Sequence, residues 1–288
     1  MLNKQIDSFL GLGTEYNLAK VVLFGAPFDG TTSYRPGTRF GSNAIRRESY
    51  GIESYSPYQD KDAADYPFFD SGDIDLSIGD TERVLAQIEE RTATILKDNK
   101  IPFMLGGEHL VTLGSMRAIA KKYPDIHIVH FDAHADLRED YLGNTLSHAT
   151  VLRRCYDIIG SGKIYQFGIR SGTKEEFQFA RENTHIFPFH LENVAKQMEA
   201  LKGKPVYFTL DLDVLDPSIF PGTGTPEAGG VTFEKLREAC YIVAKNCNIV
   251  GLDVNELSPP YDTSGISTVL ACKIVRELLI TVLSKEEK

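Results

Sequence analysis

The chain is poor in cysteine, in positive charge and in long apolar runs. Only four cysteines occur in 288 residues, at Cys155, Cys240, Cys247 and Cys272, with no close pairing of the zinc-module kind. So few in a chain this large exclude a disulfide framework, and three of them fall in segments that read as helices, which predicts buried free thiols. Lys and Arg number 31 against 40 Asp and Glu, a formal charge of -9. Phosphate binding would ask for a basic face, so nucleic acid is excluded as a partner, whereas a cationic small molecule is compatible with the balance. The apolar runs are only strand-length and Met1 to Lys20 is mixed polar. No signal peptide or membrane span is expected, and a cytoplasmic location is.

What is present is enough apolar material, 42% of residues, to bury one large core. No composition break, repeat or low-complexity tract divides the chain, so a single domain over residues 1–288 is expected. Short apolar runs bounded by Gly, Pro or Asp alternate with longer amphipathic stretches, the pattern of βα units around a mostly parallel sheet. Strands are expected at Lys20 to Gly25, Tyr66 to Asp70, Ile101 to Gly106, Ile126 to Asp132, Ile164 to Ile169, His185 to Phe189, Pro205 to Asp211 and Ile249 to Asp253. Helices are expected near Thr81 to Asp98, Leu110 to Lys122, His148 to Ile159, Thr173 to Glu182, Leu191 to Leu201, Thr232 to Lys245 and Gly265 to Leu283. In the first of these, Val84, Leu85, Ile88, Ile95 and Leu96 recur at helical spacing. The pattern alone is satisfied by an open sheet and by a closed βα barrel.

Three segments place acids and imidazoles at the ends of apolar runs: GGEH at Gly106 to His109, DAHAD at Asp132 to Asp136, and DLDVLDP at Asp211 to Pro217. In extended backbone, alternate side chains share one side about 6 to 7 Å apart, which would let Asp132, His134 and Asp136 converge, and likewise Asp211 and Asp213. Four carboxylates and two imidazoles are too much buried charge for a sheet edge unless a cation neutralises it. An oxygen-rich shell with no thiolate suits manganese or magnesium, manganese first, and two such ions about 3.5 to 4 Å apart can share a water and present hydroxide at neutral pH. His109 follows Gly106 and Gly107, read as the glycines of a tight strand-to-helix turn. The glycine-rich GTGTPEAGG at Gly222 to Gly230 neither follows a strand nor opens a helix as a dinucleotide-binding loop does.

These motifs, with SHAT at Ser147 to Thr150 and DVNELSPPYD at Asp253 to Asp262, resemble the ureohydrolase (arginase and agmatinase) family in order and across most of the chain. The resemblance implies an open three-layer αβα fold with a mostly parallel eight-stranded sheet, of the arginase and deacetylase kind. It implies two manganese ions, one held by His109, Asp132, Asp136 and Asp211 and the other by His134, Asp132, Asp211 and Asp213. His127 and His130, in the preceding strand, stay structural because the family motif starts at Asp132. Glu256 would orient a guanidinium through a planar, paired contact. His148 would shuttle protons, for which an imidazole near its ordinary pKa is suited, and Asp136 would carry the proton to the departing amine.

The same resemblance places GTGTPEAGG beside the metals and TSYRPGTRFG, Thr32 to Gly41, in an agmatinase-like loop whose Tyr34, Arg35 and Arg39 would form the pocket rim or a subunit contact. The loop LREDYLGNTLSHAT, Leu137 to Thr150, resembles that of agmatinases. A small cationic guanidino substrate is therefore expected, agmatine first, with guanidinobutyrate, arginine and formiminoglutamate as alternatives. Trimers and hexamers are common in the family, so a homo-oligomer is expected. A catalytically silent binding relative would have lost a ligand, and all six are present. Another metal hydrolase, deacetylase-like, is disfavoured by NELSPPYD and SHAT.

Overall fold

A computed structural model describes residues 7–286. The strands are β1 Val21–Ala26, β2 Tyr55–Ser56, β3 Lys61–Asp62, β4 Phe68–Asp73, β5 Ile101–Gly106, β6 His127–Phe131, β7 Ile164–Phe167, β8 His185–Phe187, β9 Pro205–Asp211 and β10 Asn248–Asn255. The helices are α1 Gly41–Glu48, α2 Thr81–Lys97, α3 Val111–Lys122, α4 Val151–Ile159, α5 Lys174–Asn183, α6 Val194–Met198, α7 Phe233–Asn246 and α8 Ile266–Leu283. Eight strands form one sheet in the order β4-β1-β5-β10-β9-β6-β7-β8, every pairing parallel, while β2 and β3 make a separate antiparallel pair. The sheet is open, with β4 and β8 as edges, which decides between the two architectures the pattern allowed.

Strand side chains sort by parity into two apolar layers, as a sheet covered on both faces requires. Val21 and Leu23 of β1, Phe103 and Leu105 of β5, and Val206, Phe208 and Leu210 of β9 enter one layer with residues of α6, α7 and α8. Val22 and Phe24, Met104 and Tyr207 point the other way, into the layer built with α2, α3 and α4. Helix starts follow capping chemistry. Asp80 accepts from the Arg83 N–H and Thr232 from the Lys235 N–H, and Thr173 and Glu176 form a capping box. Four of the adjacent central strands, β5, β10, β9 and β6, deliver their carboxyl ends side by side, where ligand sites of parallel sheets lie.

Some boundaries differ from expectation. The second sheet strand starts at Phe68 rather than Tyr66, and the helix expected over Leu191 to Leu201 is the five-residue α6 followed by a 3₁₀ turn at Glu199–Leu201. Helix α1 was not expected at all. Its buried residues are Gly41, Ser42, Ile45 and Arg46, so only one large apolar side chain marks its inner face. All four cysteines are free and buried. Among the described residues no helix is long and apolar enough to cross a membrane.

Candidate metal centre and its cleft

The acidic and imidazole side chains meet at that shared sheet edge, although not by strand alternation. Strand β6 stops at Phe131, and the DAHAD segment turns instead of extending, with Asp136 in the left-handed region at φ 53°. Asp211 ends β9, and Asp213 sits in a 3₁₀ turn, Leu212–Val214. Loop turns, held by the carboxylates themselves, create the convergence. Asp132 Oδ1 accepts from the His134 N–H at 2.5 Å, Asp213 Oδ1 from the Ala133 N–H at 3.1 Å, and Asp211 Oδ1 from the Asp213 N–H at 2.8 Å.

His109 Nδ1 lies 3.0 Å from Asp132 Oδ2, 3.1 Å from Asp136 Oδ2 and 3.4 Å from Asp211 Oδ2. It is buried and makes no geometrically sound hydrogen bond. One nitrogen can offer at most one proton, so three carboxylate oxygens around it are lone pairs turned to a common point, the donor set of a cation. A second group combines His134 Nδ1 with Asp213 Oδ2 at 2.9 Å and Asp132 Oδ1 at 3.5 Å. Asp132 belongs to both groups, whereas Asp211 joins only the first within these distances, its Oδ1 being engaged by the Asp213 backbone.

The electrostatics carry the same message. Burial, followed by the charges of Asp213 and Asp132, pushes the Asp211 carboxyl well above the ordinary range. Burial and then the Asp132 charge raise Asp136 to about 7. Burial opposes ionisation of Asp132 as well, but the imidazoles of His109, His130 and His134 around it hold it well below the ordinary value. Uncompensated buried carboxylates of this kind fit a bound cation.

Partners behind the ligands set their orientation. His109 Nε2 pairs with Thr209 Oγ1 at 2.8 Å, and Thr209 donates to the buried Asp253 at 2.6 Å. His130, with 2.8 Å between its Nε2 and Asp132 Oδ2 and Gln166 beside its Nδ1, approaches that carboxylate from inside the sheet and falls within reach of the first donor group. His127 points away, to the Asp125 carbonyl. Glu256, at φ 66° after β10, is buried and accepts the His109 N–H at 2.6 Å. Gly106 and Gly107 are needed for close approach rather than for unusual dihedrals, since a Cβ at Gly107 would lie 1.9 Å from the Phe28 carbonyl oxygen and one at Gly106 2.0 Å from Asn255 Oδ1.

Beside the ligands opens a cleft of about 240 Å³ bordered by His134, Asp136, Arg138, His148, Ser171 and Thr225, among others. His148 begins a 3₁₀ turn capped by Ser147, and the α-helix α4 follows only at Val151. Its N–H donates to Thr31 Oγ1 at 3.1 Å, and its Nε2 is 3.1 Å from Ser33 Oγ. Thr31 in turn donates its backbone N–H and hydroxyl to the fully buried Glu108. Burial, then the charges of His134 and His109, bring His148 down to about 4.

Thr31, Ser171 and Arg170 went unread in the sequence, and Ser33 and Glu108, although inside quoted motifs, were given no role of their own. Tyr34, Arg35 and Arg39 lie outside this lining: the Arg35 guanidinium stacks on Tyr34 at 4.9 Å and Tyr261 at 5.3 Å, and Arg39 pairs with Asp29. The glycine-rich loop does adjoin the ligands, with Thr225 Oγ1 3.4 Å from Asp213 Oδ2.

The sequence model of the arginase family matches residues 19–281. An agmatinase of Bacillus subtilis is 48% identical over 275 residues, spanning 94% of this chain and 95% of that protein. An N(1)-aminopropylagmatine ureohydrolase of Thermococcus kodakarensis is 42% identical, over 83% of each chain. The crystal structure of a putative agmatinase from Clostridium difficile superposes with a TM-score of 0.92 at 52% identity, covering 94% of this chain and 99% of that one. The chain belongs to the arginase family of ureohydrolases, hydrolases of linear amidino C–N bonds, and within that family it resembles the agmatinases.

Proposed function

We propose that the protein is a dimanganese agmatinase, converting agmatine to putrescine and urea. The observation that carries the metal reading is the buried His109 Nδ1 facing three carboxylate oxygens; the substrate reading rests on the similarity to agmatinases. His109, Asp132, Asp136 and Asp211 would hold one ion, and Asp132, His134 and Asp213, with Asp211 beside them, the other. When bound, such a pair lowers the pKa of water into the neutral range and polarises the carbon under attack.

The remaining steps belong to side chains. Glu256 Oε1 is committed to the His109 N–H, which leaves Oε2, beneath Gly224, to pair with the substrate guanidinium and orient its carbon. Asp136, with Oδ2 3.1 Å from His109 Nδ1 and on the cleft wall, is placed to pass a proton to the departing amine. His148, at the mouth of the cleft and aligned by Thr31 and Ser33, is placed to exchange protons with solvent.

The substrate is tested by urea release from the manganese-loaded protein with agmatine, its aminopropyl derivative, arginine, 4-guanidinobutyrate and formiminoglutamate. A site built for agmatine leaves the arginine carboxylate desolvated without a partner, worth about ten-fold or more in selectivity. We expect kcat/KM for agmatine to exceed that for arginine by at least about ten-fold; equal values would reject the substrate assignment while leaving the metal site intact. For the shuttle, His148→Ala should fold and bind metal normally yet turn over about 10²-fold more slowly, with partial rescue by added imidazole. An unaltered rate and pH profile would make His148 a bystander.

A further inference from the structure

We propose that Glu227 is the residue that recognises the distal ammonium of the substrate and so sets selectivity for amine-tailed guanidines. This rests on the agmatinase reading above and names the group that reads the other end of the molecule. Three observations place it. Glu227 Oε1 accepts from Ser171 Oγ at 3.0 Å, and Ser171 is part of the cleft wall, its strand-like backbone bridged to that of His134. Among the described residues no other group bonds the Glu227 carboxylate, so Oε2 has no donor.

The other acids at the cleft are committed. Glu176 takes the Leu137 and Thr173 N–H groups on its two oxygens, and Asp136 and Asp213 belong to the ligand cluster. Half-buried and anionic, Glu227 can pair with one ammonium without the large desolvation cost of a buried carboxylate.

Second, the residue is held rigidly. Among the described residues Arg170 has no carboxylate partner; its guanidinium donates to backbone carbonyls, among them Asp213 at 2.8 Å, Glu227 at 2.9 Å and Ala228 at 3.2 Å. The backbone N–H groups of Arg170 and Ser171 also share the Ala133 carbonyl, at 2.7 and 2.9 Å. One short segment therefore fixes the DAHAD turn, the Asp213 turn and the Glu227 loop relative to one another, and a preorganised carboxylate loses less on binding.

Third, the position is compatible. Thr225, on the cleft wall with its Oγ1 3.4 Å from the ligand Asp213, precedes Glu227 by two residues, so the two Cα atoms are at most about 7 Å apart. The five C–N and C–C bonds between the guanidino nitrogen and the amine of agmatine, about 1.5 Å each, reach about 6 Å when extended.

The cleft lining also carries Arg138, stacked over the Tyr141 ring at 4.7 Å and 3.6 Å from Glu176. A carboxylate-tailed guanidine would turn to that side and is disfavoured by Glu227. Loss of the carboxylate should therefore hurt agmatine and spare, or help, 4-guanidinobutyrate.

The test is Glu227→Gln in the full, manganese-loaded chain, with metal content and thermal midpoint measured beside wild type. Agmatine kcat/KM should fall about ten- to one-hundred-fold, mainly through KM, the expected size for a charge-assisted hydrogen bond made alike in ground and transition states. Butylguanidine, which has the same chain but no amine, should be unaffected as substrate or competitive inhibitor. Ser171→Ala should shift agmatine KM in the same direction by less, and Glu227→Asp should restore part of the affinity. An unchanged agmatine KM, or equal losses for agmatine and butylguanidine, overturns the assignment while the agmatinase reading stands. A wild-type protein inactive on agmatine but active on another guanidine overturns both.

Discussion

Asp132→Asn is expected to lower kcat/KM by more than about 10³-fold and to remove metal from both groups, a larger loss than the 10- to 100-fold typical of residues that only orient ligands. Among the described residues Asp132 is the one carboxylate shared between the two donor groups. Its Oδ2 faces His109 Nδ1 at 3.0 Å and His130 Nε2 at 2.8 Å, while Oδ1 serves the His134 N–H and lies 3.5 Å from His134 Nδ1. An amide in that place turns one acceptor into a donor among imidazoles and withdraws a negative charge that cations require. His134→Ala provides the contrast, because His134 takes part only in the group with Asp213. It should vacate one position and retain the other. Elemental analysis of purified, folded protein checks both, and Asp132→Asn with full manganese content would overturn the shared-ligand assignment.

The residue types of this centre were legible in the chain because carboxylates and imidazoles at strand ends have few other uses together. The manner of their convergence was not. Alternation along an extended strand predicted a common side for Asp132, His134 and Asp136, yet Asp136 reaches His109 through a left-handed turn and Asp213 reaches His134 through a 3₁₀ turn. Both turns are stabilised by side chain to backbone bonds that only the folded loops create. The sheet read well for the opposite reason, since buried parallel strands are continuous apolar runs that need no distant partner to be recognised. Glu108, Thr31 and Ser33 behind His148 are separated from it by dozens of residues, and nothing in their local pattern marks the association. Arg170 is a further case: a cation satisfied by carbonyls leaves no matching acid to search for. Helix α1 escaped because its inner face carries a charge.

That charge supports the second large effect, one of stability. Arg46→Ala is expected to cost about 3 to 5 kcal/mol of unfolding free energy, the range for removing one member of a buried ion pair. Arg46 and Asp70 are each 1% exposed. The Arg46 Nε lies 3.1 and 2.9 Å from the two Asp70 oxygens, and Nη1 pairs with Asp73, so one guanidinium from α1 contacts two acids of the edge strand β4. Burial works against its charge, but the charges and hydrogen bonds of Asp70 and Asp73 outweigh that and raise its pKa further. Truncation strands Asp70, which still accepts the Phe9 N–H at 2.9 Å and the Gly72 N–H at 3.0 Å and so cannot turn away to water. Arg46→Met, which preserves most of the volume, should cost nearly as much, because the penalty lies in the orphaned carboxylate rather than in a cavity. Adding Asp70→Asn to Arg46→Met should recover part of the loss by removing the buried charge while keeping an acceptor for one of those two N–H groups. Urea unfolding at fixed manganese concentration separates these cases, since metal binding itself shifts the midpoint. A cost below about 1 kcal/mol for Arg46→Ala would place this pair among those that contribute little, as exposed ones do.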